Sequence, residues 1–227
     1  MIVGPCSIHD RDDTMAYAER LHELAQRVQD RILIVMRVYF EKPRTTLGWK
    51  GLIYDPDLDD SGNIAHGLQL ARQIMLEVAG LGVPTATEIL EPIIPQYITD
   101  ALCWTAIGAR TAESQTHRQM ASGLSTPIGF KNATDGSMKV AAEALAAAGS
   151  PHTFIGITNE GRVGLFNTRG NKDTHLVLRG GKSGPNYYSP HIAFARELLR
   201  QQGSFPNIMV DCSHGNSAKD AEKQIAV

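Results

Sequence analysis

The chain has 227 residues, with 22 Lys and Arg against 24 Asp and Glu, and a formal net charge of -2. With 42% hydrophobic and 20% charged residues it is long and apolar enough to bury one substantial core. The charge balance speaks against a broad basic field for nucleic acid, no apolar run reaches the length of a membrane span, and the opening MIVGPCS lacks the plan of a signal peptide.

In chain order, a strand is predicted over 1–3, a helix over 12–28, a strand over 32–39, a helix over 65–79 and strands over 85–89 and 104–108. A helix over 113–122, a strand over 127–131, a helix over 137–148, a strand over 175–179, a helix over 191–201 and a strand over 208–211 follow. The helix over 65–79 places Leu68, Ala71, Ile74, Met75 and Val78 on one stripe, a core-facing face. The Ala-rich stretch over 137–148 suits a strong, closely packed helix. Strand–helix alternation predicts a parallel sheet, closed as a barrel or doubly wound, and the absence of GxGxxG after the first strand disfavours the dinucleotide-binding version. Between 153 and 168, FIGI and VGLF flank the turn TNEGR, the pattern of an inserted antiparallel hairpin. The opening strand has nothing before it, and the closing DAEKQIAV stops inside a helical pattern without a cap. The expectation is one (β/α) barrel domain over 1–227, incomplete at both ends.

In such a barrel the chemistry sits at the C-terminal ends of strands and in the loops that follow. Those ends supply Gly4-Pro5-Cys6-Ser7, then Arg37, Lys42, Arg44 and Thr45, then Glu88, then Arg110. Further on come Lys131-Asn132, Arg179-Gly180-Gly181-Lys182 and Asp211-Cys212-Ser213-His214. One cation at a strand end is ordinarily a solvated loop residue. Repeated at one strand end after another, cations imply anions between them. Arg suits a bidentate grip on phosphate or carboxylate, Lys acts as a point charge, and the nearby glycines let backbone N–H groups approach a phosphate. A ligand carrying several negative groups is expected.

There are 3 cysteines, too few and odd in number for a disulfide framework, which points to a reducing cytoplasm. Cys6 and His214 close the first and last predicted strands, and a thiolate with an imidazole suits Zn, Fe, Co or Mn. Catalytic metals take three or more protein ligands, so these two leave the set open, and carboxylates beyond Val227 could complete it.

Taken together, GPCSIHD, MRVYFEKPRTTLGWKGLIYDPDLD, IGARTAESQ, GFKNATDG, LRGGK and DCSHGNS, in this order and spacing, resemble type I DAHP (3-deoxy-D-arabino-heptulosonate-7-phosphate) synthase from about Gly4 to Ser217. The resemblance implies a TIM-type (β/α)8 barrel, here cut before its eighth strand, and a divalent metal. It implies condensation of phosphoenolpyruvate with erythrose 4-phosphate, releasing phosphate, at the first step of the shikimate pathway. By position, Arg37, Lys42, Glu88, Arg110, Lys131 and Arg179 match the phosphoenolpyruvate site. Arg44 and Thr45 of the KPRT signature face the sugar phosphate, and Cys6 and His214 match two metal ligands. Lys131 is the candidate proton donor. Pro95, Gln96, Leu124, Ser125, Phe154 and Gly156 match an aromatic amino acid effector site, where Gly156 leaves room for a tyrosine ring hydroxyl. A homo-oligomer is implied for the full-length protein, and the 227-residue piece by itself is expected to be inactive. The related octulosonate-phosphate synthases carry a different segment in place of KPRTT. A non-catalytic phosphate-binding or regulatory module is the alternative from another class.

Overall fold

The computed structural model describes residues 1–158 and 160–227, which form two compact units, Met1–Thr105 and Ala106–Val227. In the first unit, β1 (Ile2–Val3) leads into α1 (Arg11–Val28), started by Asp10, whose carboxylate accepts from the Asp13 amide at 2.8 Å. Thr14, Ala18 and Leu21 recur at helical spacing and form its buried stripe. β2 (Val35–Arg37), α2 (Ile64–Gly80), β3 (Thr85–Glu88), α3 (Pro95–Ile98) and β4 (Trp104–Ile107) follow, β4 running across the unit boundary. β1 pairs with β2 (Ile2↔Val35) and β2 with β3 (Met36↔Thr85), both parallel. The expected stripe of α2 is realised: Ala71, Ile74, Met75 and Val78 are fully buried, and Leu68 packs beside them.

β2 is shorter than the apolar run 32–39 predicts. Arg31 and Ile32 both donate to the Val28 carbonyl, so the run opens as the turn leaving α1, and Leu33 is exposed. At the other end Val38 still donates to Ala86 O beside β3, and the chain then leaves the sheet, so that Tyr39 and Phe40 are buried in a loop. Apolarity there records burial, which a strand and a covered loop share. The short α3 has no period to announce it, only Pro95 at its first turn.

The second unit contains α4 (Gln115–Gly123), β5 (Ile128–Lys131), α5 (Lys139–Ala148), β6 (Thr153–Ile157), β7 (Val163–Asn167), β8 (Thr174–Leu178), α6 (Ser189–Gln201) and β9 (Ile208–Val210). β5 pairs with β8 (Lys131↔Val177) and β8 with β9 (Leu178↔Val210), again parallel. Four alanines and Leu145 form the buried face of α5 (Ala141, Ala142, Ala144, Ala148), close-packed because the side chains are short.

The expected hairpin is present as β6–β7, antiparallel from Thr153↔Asn167 to Ile157↔Val163. Phe154 and Phe166 stack on one face with centroids 5.8 Å apart. Residue 159, inside the expected turn, lies outside the described residues. Thr168 anchors the hairpin base, its hydroxyl accepting from the His152 amide at 3.0 Å and lying 2.6 Å from the Ser122 hydroxyl of α4. The fold class is α/β of the (β/α) barrel type, with seven strands apart from the hairpin among the described residues.

Candidate active site

In the first unit, β2 ends at Arg37 and the chain returns with Lys42 towards the residues after β1. Arg37 donates to the Cys6 carbonyl at 3.1 Å, and its guanidinium lies 3.5 Å over the Tyr39 ring, a cation–π contact that aims it. Lys42 Nζ is 3.1 Å from both the Cys6 carbonyl oxygen and Sγ. That hydrogen bond, aided by the charges of Lys42, Arg37 and Arg44 and opposed by partial burial, holds the Cys6 thiol below its ordinary range. Cys103 and Cys212 behave oppositely: burial pushes both thiols up, and the Asp211 charge adds to the effect at Cys212. Cys6 alone of the three is shifted towards the thiolate. Arg37 Nε is buried with no hydrogen-bond partner, a cationic donor still to be satisfied.

The KPRT segment is a folded loop. Lys42 N donates to the Lys50 carbonyl, Arg44 Nε donates to Trp49 O at 2.6 Å, and the Trp49 indole donates to Asp55 O at 2.9 Å. Gly51, at φ +110°, comes so close to the Phe40 carbonyl that no Cβ fits. Thr45 is exposed in this loop, and Glu88, the last residue of β3, is buried.

Sequence reasoning missed Glu41. Its carboxylate accepts from the amides of Leu90 and Glu91, each at 3.1 Å, and from the Tyr54 hydroxyl at 3.2 Å. Burial outweighs these bonds and pushes the carboxyl up to about 7. Glu41 thereby staples the segment carrying Lys42 to the one that follows Glu88. Pro95 is buried and Gln96 exposed on α3.

In the second unit, Arg110 is exposed in the turn after β4, while Lys131 is buried at the end of β5. His214 has a left-handed backbone (φ +53°) and presents Nδ1 to Asp211 at 2.8 Å. Burial pushes Asp211 up, but the His214 hydrogen bond and charge, the Lys131 charge and the Ser213 amide prevail and hold it at about 2. The carboxylate therefore orients the imidazole and leaves Nε2 facing away from it. The sequence placed Asp211 at a strand end but gave it no role. Asn186 and Asn216 gave no functional signal either, because loop asparagines read as turn formers.

Leu124 and Ser125 link α4 to β5, and Phe154 and Gly156 lie on β6. The space beside Gly156 is taken by the Phe166 ring, whose carbons would sit 3.0 Å from an added Cβ. The hairpin's own packing thus accounts for a glycine at that position. Among the described residues, no three His, Cys, Asp or Glu side chains are grouped to hold a metal ion.

The family model described as the DAHP synthetase I family matches residues 1–227. The Tyr-sensitive phospho-2-dehydro-3-deoxyheptonate aldolase of Escherichia coli K12 is 55% identical over 227 residues, covering 100% of this chain and 64% of that protein. The Phe-sensitive enzyme of the same organism is 52% identical over 227 residues, covering 65% of its length. A solved phospho-2-dehydro-3-deoxyheptonate aldolase from Francisella tularensis SCHU S4 matches with a TM-score of 0.97 and 51% identity, over 99% of this chain and 66% of the other. The chain spans slightly less than two thirds of the length of these relatives.

Proposed function

Because the chain belongs to the DAHP synthetase I family, we propose that it carries the greater part of a DAHP synthase active site, condensing phosphoenolpyruvate with erythrose 4-phosphate and releasing phosphate. The observation that carries this reading is the pair of cations gathered on Cys6, Arg37 with its unpartnered Nε and Lys42. Both now rest on a backbone carbonyl, a weak acceptor that a phosphate or carboxylate outcompetes. Arg44 and Thr45 extend the same loop towards a second anionic group. Arg110 and Arg179 add charge for the enol phosphate, and Glu88 helps to fix it. Lys131, buried next to the Asp211 carboxylate's charge, is the residue to hold and deliver a proton. Arranging two anionic substrates face to face supplies much of the remaining rate.

The donor chemistry fits a divalent metal. The Cys6 thiol is shifted below its ordinary range beside Lys42, and the Nδ1 of His214 is held by Asp211, as in second shells of metal-bound imidazoles. Two donors do not complete a site, so carboxylates from the rest of the protein would join them. The metal when bound, Mn, Fe, Co or Zn, would polarise the aldehyde oxygen.

An aromatic amino acid effector is part of the proposal, since relatives are named Tyr-sensitive and Phe-sensitive. Tyrosine is favoured on the resemblance, and an effector role is proposed for Pro95 and Gln96 in the first unit and for Leu124, Ser125, Phe154 and Gly156 in the second. A cytoplasmic homo-oligomer is proposed for the full-length protein; among the described residues no helix is long and apolar enough to cross a membrane.

The test is phosphate release from phosphoenolpyruvate by the full-length protein, with erythrose 4-phosphate and with arabinose 5-phosphate. Turnover is expected with the first sugar only, abolished by a chelator, restored by Mn or Zn, and inhibited by tyrosine more than by phenylalanine. Residues 1–227 alone are expected to be inactive. Turnover that survives exhaustive chelation would remove the metal from the reading; none with either sugar would favour a non-catalytic phosphate-binding or regulatory module.

A further inference from the structure

Three asparagines are buried together in the second unit, in the segments that follow β5, β8 and β9. Asn132, Asn186 and Asn216 are 0%, 5% and 5% exposed. The Asn132 Oδ1 accepts from the Arg179 amide at 2.7 Å and from Asn186 Nδ2 at 3.1 Å, while its Nδ2 donates to Ala133 O and Gly180 O. Asn186 Oδ1 accepts from the Gly180 amide at 2.7 Å, and its backbone N–H donates to Asn216 Oδ1 at 2.9 Å. Asn216 Nδ2 donates to Leu178 O at 3.0 Å and to Asp211 O at 2.9 Å. Every side-chain oxygen meets an N–H, and every side-chain amide nitrogen meets an oxygen, so the orientation of each amide is fixed by its partners. Gly180 (φ +70°) and Gly181 make room: a Cβ on the first would strike the Asn216 amide, and one on the second the backbone of Gly136.

The partners of this network immediately adjoin the groups assigned to the reaction. Asn132 follows Lys131, the Arg179 amide is bound directly, and the Asp211 carbonyl belongs to the residue that orients His214. We propose that Asn186 is a positioning residue which, through Asn132 and Asn216, sets the register of Lys131, Arg179 and the Asp211–His214 pair. This rests on the DAHP synthase reading for the roles of those side chains. The reason is directional. An amide offers an acceptor and a donor from one rigid plane. Aspartate, of the same size, would turn an oxygen towards the Asn132 oxygen and break the relay.

The molecule contains its own control. Asn171, 7% exposed, makes a comparable set of bonds before β5 and β8 begin: Nδ2 donates to Leu124 O at 3.0 Å and to Thr126 O at 2.9 Å, and Oδ1 accepts from the Asp173 amide at 2.9 Å. It adjoins none of the residues assigned to the reaction; its partners flank Ser125 of the proposed effector site, so the comparison is made without any aromatic amino acid.

The experiment compares Asn186→Asp, Asn186→Ser and Asn171→Ala in the full-length protein, reading kcat and KM for phosphoenolpyruvate, thermal midpoint, and hydrogen exchange at the Arg179 and Gly180 amides. Both Asn186 variants are expected to lose roughly 10- to 100-fold in kcat/KM, the cost of an outer-shell partner, and to exchange faster at those amides. Asn171→Ala is expected to lower the midpoint comparably while keeping kcat/KM within about twofold of the unchanged protein, because it adjoins none of the acting groups. Wild-type kcat/KM and exchange in Asn186→Asp would overturn the proposal, as would equal activity losses in the Asn171 and Asn186 variants. If the unchanged protein releases no phosphate, the functional reading fails by itself. Exchange then decides whether Asn186 fixes these strand ends, and unaltered exchange in both Asn186 variants overturns the inference. Asn186→Ser is too short to reach either Gly180 or Asn132 and adds no charge, so it serves if the aspartate variant does not fold.

Discussion

The strand ends of the two units hold their charged groups by different means. In residues 1–105, Arg37 and Lys42 reach over an exposed thiol and borrow a backbone carbonyl. In residues 106–227, Lys131 is buried, and the amide of Arg179 and the carbonyl of Asp211 are tied into a network of asparagines. The first arrangement can exchange its acceptor easily, which suits the proposed binding of anions. The second resists displacement, which suits the proposed positioning of Lys131 and of the Asp211–His214 pair. On the proposed function, binding and positioning are divided between two kinds of polar contact.

The largest test of this division is Lys42→Ala in the full-length protein. Losing one preorganised cation from an anion site costs roughly 100- to 1,000-fold in turnover, read by phosphate release, whereas its folding stability should hardly change. A stability loss as large as that of Asn186→Ser would erase the contrast.

A smaller effect concerns acidity. Glu41, in the first unit, has its carboxyl raised from 4.5 to about 7 by burial, with Glu91 adding charge. Its folded form prefers the proton, so stability is full below pH 4.5 and declines as pH rises through 7. The shift bounds the decline at about 3 kcal/mol. Denaturant midpoints at pH 5 and 8 should differ in the unchanged protein and converge in Glu41→Gln. Equal slopes in both would place the titration elsewhere.

His175, on β8 of the second unit, bears the opposite sign. Burial lowers its imidazole from 6.5 to about 4, so stability is full above pH 6.5 and declines as pH falls towards 4. His175 is less enclosed than Glu41, so its effect is expected to be the smaller, about 1–2 kcal/mol after discount for solvent. Hydrogen exchange by segment checks both: residues 1–105 should loosen first above pH 7, and residues 106–227 first below pH 6.

The helices and parallel strands were legible because their signals are local. Leu68 to Val78 follows a helical period, and FIGI and VGLF bracket a turn. Tyr39 misled because a covered loop is as apolar as a strand. Among the candidate residues, the cations and Cys6 could be singled out because strand ends are where a barrel keeps its chemistry, and the structure brings Arg37 and Lys42 together on Cys6. Asn186 could not, since its partner Asn132 is 54 residues away in the chain and nothing near either residue announces the other. The orienting role of Asp211 and the raised acidity range of Glu41 likewise come from folded surroundings, not from neighbours in sequence.

The saturated amides also bear on tolerance to change. At positions 132, 186 and 216 no other natural side chain reproduces the same donors and acceptors at the same length: glutamine overshoots, aspartate inverts a dipole, and serine offers a single atom. A library randomised at these codons should therefore return asparagine almost alone.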